Sequence, residues 1–132
     1  MLRINLDFLS YIESIAHKDI IADKIQLIQY SPKDTILTQG EQITKIIVIR
    51  EGITKCYITE ENGKEYIPEF LSRGEIMGEI EYLGKMPCLC SVEAISYVEA
   101  YVIPLSIFDH LLKTDITFNN VLLSVEALRV YH

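Results

Sequence analysis

The sequence predicts a mainly β protein, an antiparallel double-stranded β-helix (jelly-roll) barrel with flanking helices. The chain has 132 residues, enough for one domain around one hydrophobic core. Between residues 24 and 103, short runs rich in Ile, Val, Thr and Tyr alternate with turn sequences, as in barrels built from many short strands. The apolar share of 49% exceeds that of a disordered chain, so we expect a folded core.

The first expected element is a helix over residues 4–16. Phe8, Ile12 and Ile15 recur at spacings of three and four, which places them on one side of a helix. Asn62-Gly63 is a strong hairpin signal, because both residues tolerate the positive φ that a tight primed turn requires. We expect five strands in this half of the chain, near residues 24–30, 34–39, 44–50, 53–59 and 64–71, with the Asn62-Gly63 turn between the last two.

The second half of the chain begins with a break in the strand pattern. Residues 74–86 predict a short helix near 79–83, and Pro104 ends the sheet because proline has no backbone N–H to donate. Ser106 is a candidate N-cap for the next helix. The remaining elements are strands near 88–95 and 97–103, a helix to about Lys113, and a last helix from Thr114-Asp115 to the chain end.

The last helix carries two apolar faces. One has the 3-4 spacing of a coiled-coil seam, and we predict that it forms a homodimer interface through Phe118, Val121, Val125 and Leu128. The other face would then pack on the barrel, and the alternative is that the helix only docks on the barrel. We accordingly assign residues 1–114 to the barrel domain and 115–132 to the start of a dimerisation helix. The seam pattern stops at the last residue, so we expect the chain to be a piece of a longer protein.

Charge and residue types exclude several function classes. With 12 basic and 19 acidic residues the net charge is −7, so the chain alone is a poor nucleic-acid binder. Three cysteines without an export signal predict reduced thiols in a soluble, cytoplasmic protein without a membrane segment. Scattered histidines and a single CxC predict no metal site, and the lack of hydrolase or phosphate-loop motifs predicts no catalytic residues.

Seven turn and strand-end motifs follow one another along the chain: YSPKD at 30–34, QGE at 39–41, IVIREG at 47–52, ENGKE at 61–65, GEIMGE at 74–79, SVEA at 91–94 and YVIP at 101–104. In this order they resemble the effector domain of the cyclic-AMP-receptor/FNR superfamily of bacterial transcription regulators. The resemblance covers about Ile25 to Lys113. It implies an effector pocket in the barrel, a homodimer, and DNA contacts only through a C-terminal winged helix-turn-helix that these 132 residues do not contain.

The resemblance also implies a phosphate-binding cassette at Gly78, Glu79 and Ile80. Backbone amides at the start of its short helix would donate to a phosphate, and Glu79 would accept a hydrogen bond from a ribose hydroxyl. Further along the chain, members of the family have an arginine followed by a serine or threonine. At these two positions this chain has Cys88 and Leu89. Without the forked contact of the arginine, we expect no tight binding of cyclic AMP or cyclic GMP, and no other cofactor.

Several interpretations remain open. The cassette could be a turn kept for folding, a site for a different small molecule, or a weak cyclic-nucleotide site. We predict the effector-sensing and dimerisation domain of a bacterial transcription regulator, with an unknown small-molecule effector. The alternatives are a stand-alone small-molecule or protein-binding module without a DNA role, a cyclic-nucleotide-binding regulatory domain, or a redox sensor acting through Cys88 and Cys90. A direct bond between these two cysteines is awkward, because residues one apart on a strand face opposite sides.

Overall fold

The computed structural model describes residues 6–16 and 24–131, with the backbone alone for Leu6, Pro68 and residues 127–131. The elements are α1 Leu6–Ala16, β1 Gln26–Tyr30, β2 Thr35–Leu37, β3 Lys45–Glu51, β4 Thr54–Thr59, β5 Glu65–Leu71, β6 Ile76–Met77, α2 Glu79–Gly84, β7 Ser91–Ala94, β8 Val98–Pro104, α3 Leu105–Thr114 and α4 Ile116–Tyr131. The predicted helix over 4–16 is thus described from Leu6 onward, and its first two residues lie outside the described ranges.

The strands form two four-stranded antiparallel sheets, in the orders β1-β8-β3-β6 and β2-β7-β4-β5. The chain passes back and forth between the sheets, so most hydrogen-bonded neighbours are distant in sequence. This is the double-stranded β-helix with flanking helices that the sequence predicts, and the fold class is confirmed.

Strand β3 explains why the hydrophobic pattern of the sequence does not alternate cleanly. Residues 46–49 of this strand are all buried. One face of β3 packs into the barrel, and helices α1 and α3 contact the strand as well. A strand covered on both faces reads as a continuous apolar run. The continuous apolar run of β3 therefore reflects cover on both faces of the strand.

Two local predictions differ from the structure. Ser106 is not a cap, because β8 runs directly into α3 at Leu105 and Pro104 occupies the N-cap position without a side-chain bond. Strand β6 was not predicted. It has only two residues, Ile76 and Met77, which pair with Val48 and Ile47 of β3, and two residues are too few to show a period.

Helix α4 packs inward on the other helices. The Phe118 ring is fully buried, with its centroid 6.1 Å from that of Phe8, 6.2 Å from that of Tyr11 and 5.6 Å from that of Phe108. Asp115 begins the helix, and its Oδ1 accepts a hydrogen bond of 2.9 Å from the backbone N–H of Phe118. An aromatic cluster thus joins α1, α3 and α4 beside the barrel.

This packing corrects the predicted dimer seam. Phe118 and Val125 are buried within the chain, so neither is accessible to a partner. Val121 is half-buried, and the side chain of Leu128 lies outside the described part of the structure. The 3-4 spacing is real, but it serves docking of the helix on its own domain, which was the alternative. No helix in the described ranges is both long enough and apolar enough to cross a membrane.

Candidate functional site

Gly78 brings helix α2 close to the barrel. Its φ is 95°, and a Cβ at this position would lie 3.1 Å from the backbone oxygen of Lys45. Only glycine adopts this backbone conformation without strain, and any side chain would press against the start of β3. Helix α2 therefore begins at Glu79 with its first turn inside the barrel mouth, where both Glu79 and Glu81 are buried.

A cavity of about 140 Å³ lies between α2 and the sheet that contains β4. Four of the five predicted ligand-binding residues line it: Gly78, Glu79, Ile80 and Leu89. The cassette and the segment before β7 therefore meet across one cavity, as the resemblance implies. The rest of the lining comes from Leu37, Cys56, Glu69, Leu71, Ile76, Met77, Glu81, Cys90 and Val92.

Cys88, the fifth predicted ligand-binding residue, does not line this cavity. It is buried and faces a separate pocket of about 280 Å³ beside β2. Its backbone N–H donates to the oxygen of Glu41 at 2.8 Å, and its oxygen accepts from the N–H of Gly40 at 2.9 Å. These two backbone bonds hold Cys88 against the turn after β2, and its absence from the lining of the cavity corrects the prediction.

The environment of Cys88 also disfavours a thiolate. Burial raises the pKa of the Cys88 thiol, and the nearby carboxylates of Glu81 and Glu41 raise it further. A protonated thiol is a poor nucleophile and a poor metal ligand. Across the described residues, no three His, Cys, Asp or Glu side chains form a group that could hold a metal ion.

Carboxylates, and no cations, line the cavity in the described part of the chain. The three acidic residues of the lining are Glu69, Glu79 and Glu81. Glu81 Oε2 accepts a hydrogen bond of 3.2 Å from the backbone N–H of Leu89. The protein's own carboxylate thus binds a donor on the segment where the resemblance places the phosphate contacts.

Cys56 and Cys90 form a disulfide in the wall of the same cavity. This corrects the expectation of reduced thiols, and the sequence analysis missed both residues at the site. The antiparallel pairing of β4 with β7 places Cys56 opposite Val92, and therefore next to Cys90. Spacing along the chain gives no signal for this pair, since 34 positions separate the two cysteines. Only the strand register could have revealed it.

A larger pocket lies on the outer side of α2, and the sequence analysis did not predict it. Its volume is about 390 Å³, within the range of about 300–1,000 Å³ that is usual for small-molecule sites. Glu81 contributes to both this pocket and the barrel cavity, so α2 separates the two. The other lining residues are Gly40, Gln42, Ile43, Tyr82, Lys85, Met86 and Pro87.

Residues 27–115 match the model of the cyclic nucleotide-binding domain. The chain belongs to this family. The match spans every strand but the first residue of β1, together with α2 and α3. It confirms the resemblance to cyclic-AMP-receptor-type regulators that the ordered motifs predict.

Relatives of this cyclic nucleotide-binding domain occur in proteins of different kinds. A cAMP-dependent protein kinase regulatory subunit of Mycosarcoma maydis is 32% identical over 81 residues, which cover 61% of this chain and 15% of that protein. The cAMP-activated global transcriptional regulator CRP of Salmonella typhimurium is 35% identical over 52 residues, 39% of this chain and 25% of that protein. The chain thus spans no more than a quarter of either relative.

The fold is also that of a solved regulator structure. The crystal structure of Thermus thermophilus catabolite activator protein superposes with a TM-score of 0.73 at 20% identity, over 89% of this chain and 58% of that one. At this identity the comparison shows the fold alone.

Proposed function

We propose that this domain is the effector-sensing part of a transcription regulator, and that its barrel cavity binds cyclic AMP and cyclic GMP only weakly. The observation that carries the second statement is the lining of the cavity, which has three glutamates and no cation among the described residues. A cyclic nucleotide is an anion. Its phosphate would be placed beside Glu79 and Glu81, both of which are buried.

The energetic cost of this lining is substantial. A hydrogen bond to a charged group contributes about 1.5–3 kcal/mol, so the missing arginine alone weakens binding by roughly tenfold to a hundredfold. Repulsion by the cavity carboxylates adds to that loss. Residues 60–81 contain seven carboxylates against Lys64 and Arg73, a local charge of −5, so the surroundings do not offset it. The cavity volume of about 140 Å³ is also below the usual range for small-molecule sites.

Isothermal titration calorimetry of the full chain with cyclic AMP and with cyclic GMP tests the proposal. We expect no saturable binding at micromolar nucleotide, because no cation of the described residues neutralises the phosphate in the cavity. Uncyclised AMP serves as a matched control for non-specific association of an anionic nucleotide. A dissociation constant of micromolar or lower for either cyclic nucleotide contradicts the proposal.

The role in transcription is supported by the bacterial relative CRP and by the exposed face of α4. Ile116 and Leu123 are 80% and 65% exposed, and their spacing of seven places them on the same side of the helix. We place the homodimer seam on this face in place of the predicted one. An effector that moves α2 or α4 would then change the spacing of two DNA-reading domains outside these residues.

The reading frame beyond the codon of His132 tests the DNA role. We expect it to continue into a basic, helix-rich domain, because the net charge of −7 makes these 132 residues a poor ligand for DNA. A reading frame that ends without a further domain, or that continues into a sequence like that of a protein kinase regulatory subunit, contradicts the transcription role. It would favour the stand-alone binding module, for which the pocket of about 390 Å³ beside α2 is the candidate site.

A further inference from the structure

We propose that Cys56 and Cys90 are a redox modification site, a reversible disulfide that clamps the wall of the barrel cavity. The two residues line the cavity and join β4 to the residue just before β7, with their Cα atoms 6.2 Å apart. This separation lies inside the range of about 4.4–6.8 Å that a disulfide spans without backbone movement. The fold therefore holds the two sulfurs in position for oxidation, and this statement does not depend on which ligand the cavity binds.

The two cysteines lie on parts of the cavity wall that are held by different numbers of backbone hydrogen bonds. Cys56 lies in β4, which is hydrogen-bonded to a strand on each side, β7 and β5. Cys90 lies just before β7, at the end of the irregular segment 85–90 that follows α2. That segment has no strand partner over its length and is held by isolated bonds, such as the one from the Leu89 N–H to Glu81. The disulfide ties this less anchored segment to the centre of the sheet.

The difference in exposure makes the bond accessible to small thiols. Cys90 is half-buried, beside Leu89, whose side chain is largely exposed, whereas Cys56 is buried. Thiol–disulfide exchange needs an attacking thiolate that can reach one sulfur in line with the bond. Cys90 is therefore the sulfur that exchanges with solution, and Cys56 is the resolving cysteine. Cys88 faces the pocket on the opposite side and takes no part.

The oxidation balances with a low-molecular-weight disulfide as the two-electron oxidant. The Cys90 thiolate attacks one sulfur of the small disulfide, forming a mixed disulfide and releasing the first small thiol. The Cys56 thiolate then attacks the Cys90 sulfur, which forms the protein disulfide and releases the second small thiol. The two protein thiols lose two electrons and two protons, and the small disulfide gains them. Reduction is the same sequence in reverse with two small thiols.

Alkylation of the full chain tests the chemistry. The protein is equilibrated with oxidised or reduced glutathione, quenched and precipitated in acid, redissolved in urea at about pH 8 with iodoacetamide to alkylate the free thiols, and weighed by mass spectrometry. We expect one alkyl group after oxidation and three after reduction, with trypsin releasing peptide 56–64 linked to peptide 86–113 only from the oxidised chain. Equal counts in the two buffers overturn the proposal.

Single variants assign the linked sulfur, since Cys88 and Cys90 share one tryptic peptide. Cys88→Ala, the matched control, should still form the link, whereas Cys90→Ala should take two alkyl groups in both buffers. A link that survives Cys90→Ala but is lost in Cys88→Ala overturns the assignment. The wild-type counts are informative even if a variant folds poorly, because alkylation is done on denatured protein.

Hydrogen exchange tests the clamp itself. Backbone amides of residues 89–92 should exchange about tenfold faster or more in the reduced chain than in the oxidised one, because the segment can then open locally. Amides of β3 serve as the internal reference, since that strand lies in the other sheet. Crosslinking without a change in exchange at 89–92 overturns the statement that the disulfide holds the cavity wall.

Discussion

Leu89 places an uncharged side chain at the barrel cavity, where the phosphate of an anionic ligand would need a cation. Its side chain is 53% exposed and lines the cavity, and its backbone N–H is bonded to Glu81. We expect Leu89→Arg to tighten the binding of cyclic AMP by about tenfold to a hundredfold, because a guanidinium there can form charge-assisted hydrogen bonds with the phosphate. Calorimetry against Leu89→Gln, a polar but uncharged control, checks the prediction. A similar gain in the glutamine variant would show that charge is not what limits binding.

Gly78, Glu79 and Ile80 were predictable through the resemblance of the GEIMGE motif to the family's cassette. The structure adds the physical reason for the glycine, because its positive φ and its close approach to β3 leave no room for a side chain. Cys88 was misplaced because counting along the chain does not show which way a residue faces in an irregular segment. The Cys56–Cys90 pair was missed for the related reason that it depends on strand register.

Among the helices, α4 has two apolar faces with different expected roles. Substitutions on the exposed face should affect dimerisation, and substitutions on the inward face should affect stability. Leu123 and Ser124 are neighbours and are both exposed, but only Leu123 shares its face with Ile116. We expect Leu123→Glu to shift a dimer to monomer while the far-ultraviolet circular dichroism spectrum stays that of the wild type, because it places a charge in the proposed seam and leaves the core intact. Light scattering at several concentrations measures the mass.

Ser124→Glu is the control for this shift, since it adds the same charge off the seam. A monomer in both variants, or a dimer in both, would remove Leu123 from the interface. Val125→Glu is the wrong test of dimerisation, because Val125 is buried and the variant would place a carboxylate in the core.

The inward face of α4 stabilises the domain through the Phe118 ring. Phe118 packs against aromatic rings of both α1 and α3 and is fully buried. We expect Phe118→Ala to lower the free energy of unfolding by about 3–5 kcal/mol, because it leaves a cavity among those rings. Ser124→Ala, at an exposed position of the same helix off the proposed seam, should change it by less than about 0.5 kcal/mol. Urea denaturation followed by circular dichroism compares the two, and equal losses would contradict the inward packing.

Helices and strands were predictable where the local sequence carries a turn signal or a long enough hydrophobic pattern. The hairpin at Asn62-Gly63, helix α2 and the long strands carry local signals, and all are present. The packing partner of α4 was not predictable from the sequence. Spacings of three and four define an apolar stripe, but they do not show whether the stripe packs on the same chain or on a second copy. That distinction came only from the rings that surround Phe118.

At the scale of the whole fold, three tyrosine–carboxylate hydrogen bonds among the described residues connect the helices to one another and to the barrel. Tyr11 of α1 donates to Asp115 at the start of α4, and Tyr82 of α2 donates to Asp109 of α3. The third bond runs from Tyr101 of β8 to Glu13 of α1, at 3.2 Å. Each bond needs a protonated phenol, so all three depend on pH in the same direction.

The pKa of all three phenols is raised above the usual tyrosine value. Burial is the largest cause for Tyr11 and Tyr101, followed by the carboxylates of Asp115 and Glu13, whereas the hydrogen bond to Asp109 is the largest for Tyr82. Below about pH 10 both the folded and the unfolded chain keep these protons, and the bonds contribute fully. Above it the unfolded chain loses them first, so stability falls as pH rises.

We therefore expect the urea midpoint of the full chain to fall as the pH rises above about 10, and to fall less steeply in Tyr11→Phe. Phenylalanine keeps the ring against Phe118 but has no proton to lose, so the difference between the two slopes isolates this one bond from lysine titration, which both proteins share. Tyr66→Phe, which alters an exposed tyrosine outside these three bonds, should keep the wild-type slope and serves as the control. A slope for Tyr11→Phe equal to that of the wild type would mean that the bond between α1 and α4 does not contribute to stability. Parallel slopes in all three proteins would assign the alkaline loss to groups other than Tyr11 and Tyr66.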